Sequence, residues 1–173
     1  MQKLEFNIVE IPEGESQRTV GLAKGDLNLS PYEFEGGDVR LSFYRALHFI
    51  RVNFLVEADV ELVCDRSLEN YIQPIASAYE VLFKVDVKEE TENEDGAVRR
   101  FNFSSNTLSV EEEVRDTIML NIPIKKLHPK FLDEEGNPRE FETKKYGEIQ
   151  DESSQIDPRW EKLKKLKNKQ KHH

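Results

Sequence analysis

The chain has 173 residues, of which 37% are hydrophobic and 34% charged, with a net charge of −9. That length fits one domain, or one domain with an arm, around a modest core with long solvated segments. The longest apolar runs are too short to span a bilayer, the first residues lack a signal-peptide pattern, and one cysteine excludes an internal disulfide and any multi-cysteine zinc site.

Residues 3–11 read as a first strand, with Leu4, Phe6 and Ile8 alternating with Glu5 and Asn7. Pro12-Glu13-Gly14 punctuates it, and residues 16–22 read as a short second strand. Residues 23–37 are irregular, broken by Gly25, Pro31 and Gly36-Gly37. A clearer strand occupies residues 38–49, with Leu41, Phe43, Leu47 and Phe49 on odd positions. At Phe49-Ile50 the apolar register moves to even positions, which places a bulge, turn or strand break between Tyr44 and Arg51. His48 beside it has no second ligand at metal spacing and reads as a surface imidazole.

The dominant signal is the next stretch. Ile50, Val52, Phe54, Val56, Ala58, Val60, Leu62 and Cys64 alternate with a mostly polar set, the pattern of a long strand with one buried face. Cys64-Asp65-Arg66-Ser67 reads as a turn, and a return strand runs from Leu68 to about Glu89, with Val81, Phe83, Val85 and Val87 in alternation. Pro74 cannot donate a ladder hydrogen bond, so it marks an edge position or an interruption. Glu89, Glu90, Glu92, Glu94 and Asp95 read as a solvated hairpin tip, since they lack the ligand spacing of a calcium loop. Asp95-Gly96 is a hairpin turn signal, and residues 98–103 return as a strand.

Ser109-Val110-Glu111-Glu112 matches a capping box, and Val110, Val114 and Ile118 form an apolar helical stripe supported by Met119. This predicts one helix covering the sheet, stopped by Pro123. Residues 128–156 are polar and broken by Pro129, Gly136-Asn137-Pro138 and Gly147, and read as an exposed excursion. Asp157-Pro158 opens a last helix, with Trp160, Leu163 and Leu166 on one side and lysines around the rest. The expected fold is α+β: a bent, mostly antiparallel sheet or barrel-like sheet, one covering helix and a C-terminal basic helical arm. The expected divisions are a core over 1–127, the excursion over 128–156 and the arm over 157–173.

Charge is unevenly distributed. Between Pro158 and Lys171, seven basic side chains face only Glu161, a net of +6 against −15 for the remainder. An acidic body with a basic tail suits contact with nucleic acid or an acidic partner, or a solvated end. No phosphate-binding loop, dinucleotide fingerprint, nucleophile elbow or H-E-x-x-H is present. Cys64 has no histidine nearby in sequence and falls on the apolar register, so it reads as a small buried thiol. No catalytic residues, metal or cofactor are expected, and the chain reads as non-enzymatic.

Three segments in order resemble the bacterial YceD family, the large ribosomal RNA subunit accumulation proteins. Leu62-Val63-Cys64-Asp65-Arg66-Ser67-Leu68-Glu69 is similar to the family's C-x-R-C-L turn between two strands. The stretch from Val114 to Pro123 is similar to its acidic helix with an aliphatic-x-aliphatic-Pro exit. Asp157-Pro158-Arg159-Trp160-Glu161-Lys162-Leu163-Lys164-Lys165-Leu166 is like its C-terminal (D/N)-P-(hydrophobic)-x-x-L-x-x-L-(K/R). Many members carry a second cysteine in the turn and more after the helix. Here Ser67 stands at the turn position, and the stretch from His128 to Asp133 has no cysteine, so no metal is carried over. The resemblance implies a cytoplasmic, non-enzymatic factor supporting accumulation, processing or assembly of large-subunit ribosomal RNA. Its partners would be that RNA or a pre-ribosomal particle, with no membrane. Arg66, Arg159, Lys162, Lys164, Lys165 and Lys167 are the expected RNA or partner contacts, with phosphates as their targets. The alternative is an acidic interaction module that binds a basic ribosomal protein.

Overall fold

The computed structural model describes residues 3–94, 96–101 and 106–139. Two compact units divide the chain, Met1–Arg139 and Glu140–His173. The first holds every strand and helix among the described residues, and the helix expected from Asp157-Pro158 lies outside them.

Eight strands and one helix make up this unit. They are β1 (Glu5–Asn7), β2 (Gly14–Ala23), β3 (Glu33–Arg45), β4 (Phe49–Val63), β5 (Asn70–Lys84), β6 (Thr91–Glu92), β7 (Gly96–Arg100), β8 (Thr107–Ser109) and α1 (Glu111–Leu120). Six strands form one sheet in the order β2-β3-β4-β5-β7-β6. It is an open sheet with β2 and β6 at its edges, which corrects the barrel-like alternative. The reason lies in the ends: β2 and the two-residue β6 are not paired with each other, so nothing closes the sheet. β1 and β8 pair antiparallel as a separate ribbon.

The long hairpin is present, with its first strand as read. β4 pairs with β5 from Phe49–Lys84 to Val63–Asn70 without a slip. The even residues of β4, from Ile50 to Leu62, are all buried, as is Cys64 beyond it. The register change near Phe49 is a tight turn: β3 ends at Arg45, Ala46 N–H donates to Phe49 O at 2.9 Å, and Arg45 pairs with Ile50. Leu47 then lies at the tip, 79% exposed, instead of in a strand. The irregular segment is shorter than its glycines suggest, because β3 already runs from Glu33. It absorbs Gly36-Gly37 through a bulge between Phe34 and Gly36.

Two further expectations are corrected. The return strand stops at Lys84 and does not reach Glu89. The chain then swings back, forms β6, turns, and lays β7 alongside β5 in parallel, Glu80 opposite Gly96. The capping box at the start of α1 is not formed. Val110 holds the N-cap position without a side-chain bond, and Ser109 belongs to β8, its Oγ accepting from Glu111 N–H at 3.4 Å. The cause is the ribbon: Val110 N–H donates to Leu4 O at 3.1 Å, which keeps Ser109-Val110 in the ladder with β1.

One face of the sheet carries the core. Val39, Leu41 and Phe43 of β3, the even residues of β4, and Tyr71, Ile75, Val81 and Phe83 of β5 are buried. Val110, Val114 and Ile118, all 0% exposed, bring α1 onto the same cluster, as the helical stripe predicts. The ribbon adds Phe6, whose ring meets Phe43 edge-on at 5.1 Å. Arg45 fastens the chain after β1, its Nη1 donating to Ile8 O at 2.8 Å and Ile11 O at 2.6 Å.

Candidate functional site

The tip of the β4–β5 hairpin is a closed turn. Cys64 N–H donates to Glu69 O, and Leu68 N–H to Cys64 O, both at 2.9 Å. Leu68 adopts a left-handed φ of 60°, which a branched side chain tolerates only when its surroundings hold it there. The turn folds over the Cys64 sulfur, which is 0% exposed.

A second segment, remote in sequence, docks on this turn. Asp65 N–H donates to Lys126 O at 2.7 Å, and Lys126 N–H returns a bond to Asp65 Oδ2 at 2.8 Å. His128 N–H points at Cys64 Sγ at 3.3 Å, and Arg66 N–H does the same at 3.4 Å. Pro129–Phe131 then form a 3-10 turn, begun by Lys130 N–H donating to His128 Nδ1 at 3.1 Å. The Phe131 ring lies under the Arg66 guanidinium at 4.8 Å and the Lys130 ammonium at 5.1 Å. Lys130 also pairs with Glu69. Residues 128–139 are largely exposed, in keeping with their polar composition, yet their start is tied to the body through these bonds.

The electrostatics derive from this cage. Burial pushes the Cys64 thiol up, but hydrogen-bond donors around the sulfur favour the thiolate and bring it from 9.0 down to about 7. The Ser67 side chain beside the sulfur is the largest of the lowering influences, although its hydroxyl falls outside hydrogen-bond geometry. The backbone N–H groups of His128, Ser67 and Arg66 act in the same direction, those of His128 and Arg66 in hydrogen-bond geometry. Lys130 holds the Glu69 carboxyl below its ordinary value. Burial raises the Tyr71 hydroxyl, with the Cys64 sulfur next in effect. This arrangement fixes a buried sulfur inside a clasp.

The expected contact residues divide. Arg66 is half-buried, stacked on Phe131, and its Nη1 donates to Arg139 O at 3.4 Å, so it holds the docked segment. Arg159, Lys162, Lys164, Lys165 and Lys167 lie outside the described residues. Sequence reading missed the cations that the docked segment brings to the turn, namely Lys125, Lys126, Lys130 and Arg139. The spacing of Lys125-Lys126, His128 and Lys130 was the available signal, and its meeting with Asp65 had none. His48 is exposed, in keeping with its reading as a surface residue. Glu90 accepts from Arg100 N–H at 2.9 Å and Glu92 pairs with Arg99 at 2.7 Å, so two acids of the 89–95 run face arginines.

His128 meets Cys64 through its backbone and not its ring, whose Nδ1 is already an acceptor for Lys130. Among the described residues, carboxylate oxygens of Glu33, Glu35 and Glu61 come within 4.8 Å of one another. The Lys24 ammonium pairs with Glu33 at 2.9 Å and with Glu35, which supplies the neutralising charge in that cluster. No helix among the described residues is long and apolar enough to cross a membrane.

Comparison with curated proteins and with solved structures gave no match. A family model did match, over residues 52–167, and carries the description Large ribosomal RNA subunit accumulation protein YceD. The matched span takes in the long hairpin from its fourth residue onward, its Cys64 turn, α1, the docked segment and the basic residues from Arg159 to Lys167. The turn, the helix exit and the 157–166 stretch are the three pieces that carried the sequence resemblance, and the chain belongs to the YceD family.

Proposed function

We propose that this protein is a cytoplasmic, non-enzymatic factor that supports accumulation of large-subunit ribosomal RNA by binding the RNA or a precursor particle during processing or assembly. Family membership carries the biological setting. The charge asymmetry, +6 between Pro158 and Lys171 against −15 elsewhere, supports the mode of contact. Arg159, Lys162, Lys164, Lys165 and Lys167 bind phosphates, with Lys125 at the docked segment as an exposed auxiliary cation. Arg66 acts indirectly by holding Phe131 and the chain around it. A non-enzymatic role is supported by the burial of Cys64, since a nucleophilic thiol needs access and a base.

The test replaces Arg159, Lys162, Lys164, Lys165 and Lys167 with glutamine and tracks co-sedimentation with large-subunit precursors in a sucrose gradient. The variant is expected to leave the precursor fractions. Undiminished co-sedimentation sinks the phosphate-contact assignment.

A second reading is favoured by the acidity of the body. An acidic surface attracts a basic ribosomal protein more readily than it attracts RNA. Pull-down from nuclease-treated lysate separates the two readings, because only a protein partner survives loss of the RNA.

A further inference from the structure

β5 is flanked unequally. On one side it pairs with β4 along its full length, and on the other it pairs with β7 only from Glu80 to Lys84. Among the described residues, 70–79 therefore keep one backbone edge outside the ladder. Two contacts on the β7 side fix which peptide groups point outward along this edge. Lys84 O accepts from Phe101 N–H at 2.7 Å. Glu80 O lies 2.7 Å from where a Cβ on Gly96 would stand. Peptide groups alternate direction along a strand, so the backbone groups of Ala78, Ala76 and Pro74 face the same side. Pro74 agrees with this, because its missing N–H is one that β4 does not require. Ala76 and Ala78 thus present two N–H and two C=O groups with no partner among the described residues.

That edge borders a cavity of about 410 Å³ between β5, α1 and the turn after β6. Glu92, Glu94, Glu113 and Asp116 line it with Arg99, and Arg115 reaches Asp116 from outside the lining at 3.0 Å. Arg99 is already held by Glu92 at 2.7 Å and Glu113 at 3.0 Å, so four carboxylates stand against two guanidiniums and the cavity stays net acidic. Leu120 stands at its wall, 81% exposed.

We propose that this edge groove receives an extended, lysine- or arginine-containing segment of a partner protein. The segment adds to the sheet beside Ala76 and Ala78, in line with β7. Backbone bonds to these two residues supply affinity, and alternate side chains enter the cavity. Cationic side chains meet Glu94 there and share Asp116 with Arg115, and an aliphatic one covers Leu120. Pro74 ends the pairing at the far side. The inference rests on the protein-partner reading of the acidic body and gives it a location.

The experiment uses the full chain, labelled with nitrogen-15, and a blocked decapeptide of alternating lysine and valine. A glutamate–valine decapeptide is the control. The lysine peptide is expected to slow hydrogen exchange at the Ala76 and Ala78 amides at least tenfold, and the control to leave them unchanged. Ala78→Pro removes one outward N–H, as Pro74 already does, so the β4 ladder survives while peptide affinity falls at least tenfold. Glu94→Lys with Asp116→Lys changes only cavity-lining side chains and is expected to abolish the preference for the lysine peptide. It decides the matter alone if Ala78→Pro does not fold. Absence of binding at millimolar peptide, protection elsewhere, or a charge-reversed variant that binds equally overturns the proposal. Co-sedimentation with precursors is read separately. A chain that co-sediments but ignores the peptide loses the groove and keeps the family-level role.

Discussion

Cys64 carries a pH signature because its sulfur sits among N–H donors. The thiol titrates near 7 in the folded chain against 9.0 ordinarily, so the native state favours the thiolate. Linkage sets the sign: an acid with a depressed native pKa adds stability that is complete above the unfolded value and is lost as pH falls through the folded one. Cys64→Ala removes the acceptor of the Arg66 and His128 N–H groups. The stability gap between wild type and this variant is expected to widen from pH 6.5 to pH 9 in urea melts. A gap that stays constant over that range shows that the sulfur titrates in both states alike. Residue type alone could not reveal this. The sequence places Cys64 on the buried register of its strand, but its donors come from Arg66 next door and from His128, sixty-four positions away. Sequence likewise could not show that Arg66, expected as an RNA or partner contact, stacks on Phe131, sixty-five positions away.

At the scale of elements, the parts legible in the sequence were those written as a period. Fifteen alternating residues specified β4, and three apolar positions four apart specified the buried face of α1. What period does not encode is which edges meet. Nothing in residues 96–100 says that they lie parallel to β5, since this depends on the path of the chain after Lys84. The start of α1 was misread for a similar reason: a local cap lost to the nonlocal ladder between β1 and β8. Gly36-Gly37 was read as a break because glycine weakens strands. In β3 it serves close approach instead. A Cβ at Gly37 would stand 2.3 Å from Glu57 O and 2.8 Å from Ala58 Cα, both backbone atoms that cannot step aside. Gly37→Ala is therefore expected to cost about 1–3 kcal/mol by overpacking, or roughly 3–10 °C in Tm for a domain of this size. Thermal unfolding measures it, and an unchanged Tm means that β3 and β4 can separate locally at no cost.

The whole molecule joins an acidic body to a basic end, and that division can be tested with one truncation. The buried core residues among those described lie within Met1–Arg139, which forms a compact unit. A chain ending after Arg139 is expected to unfold cooperatively, with a Tm within a few degrees of the full chain, because none of these core residues is removed. Its affinity for large-subunit ribosomal RNA is expected to collapse. The five proposed phosphate contacts predict how. Each releases counterions, giving a slope of roughly −0.7 to −0.9 in log affinity against log salt. Five contacts should then lower the affinity of the full chain about 100- to 500-fold between 50 and 200 mM salt. The truncated chain, left with an acidic body, should show weak binding and little of this slope. Filter binding across a salt series measures both. A truncated chain that keeps the steep slope would move the RNA contact onto the body, with Lys125, Lys126 and Lys130 around the Cys64 turn as the cations able to make it.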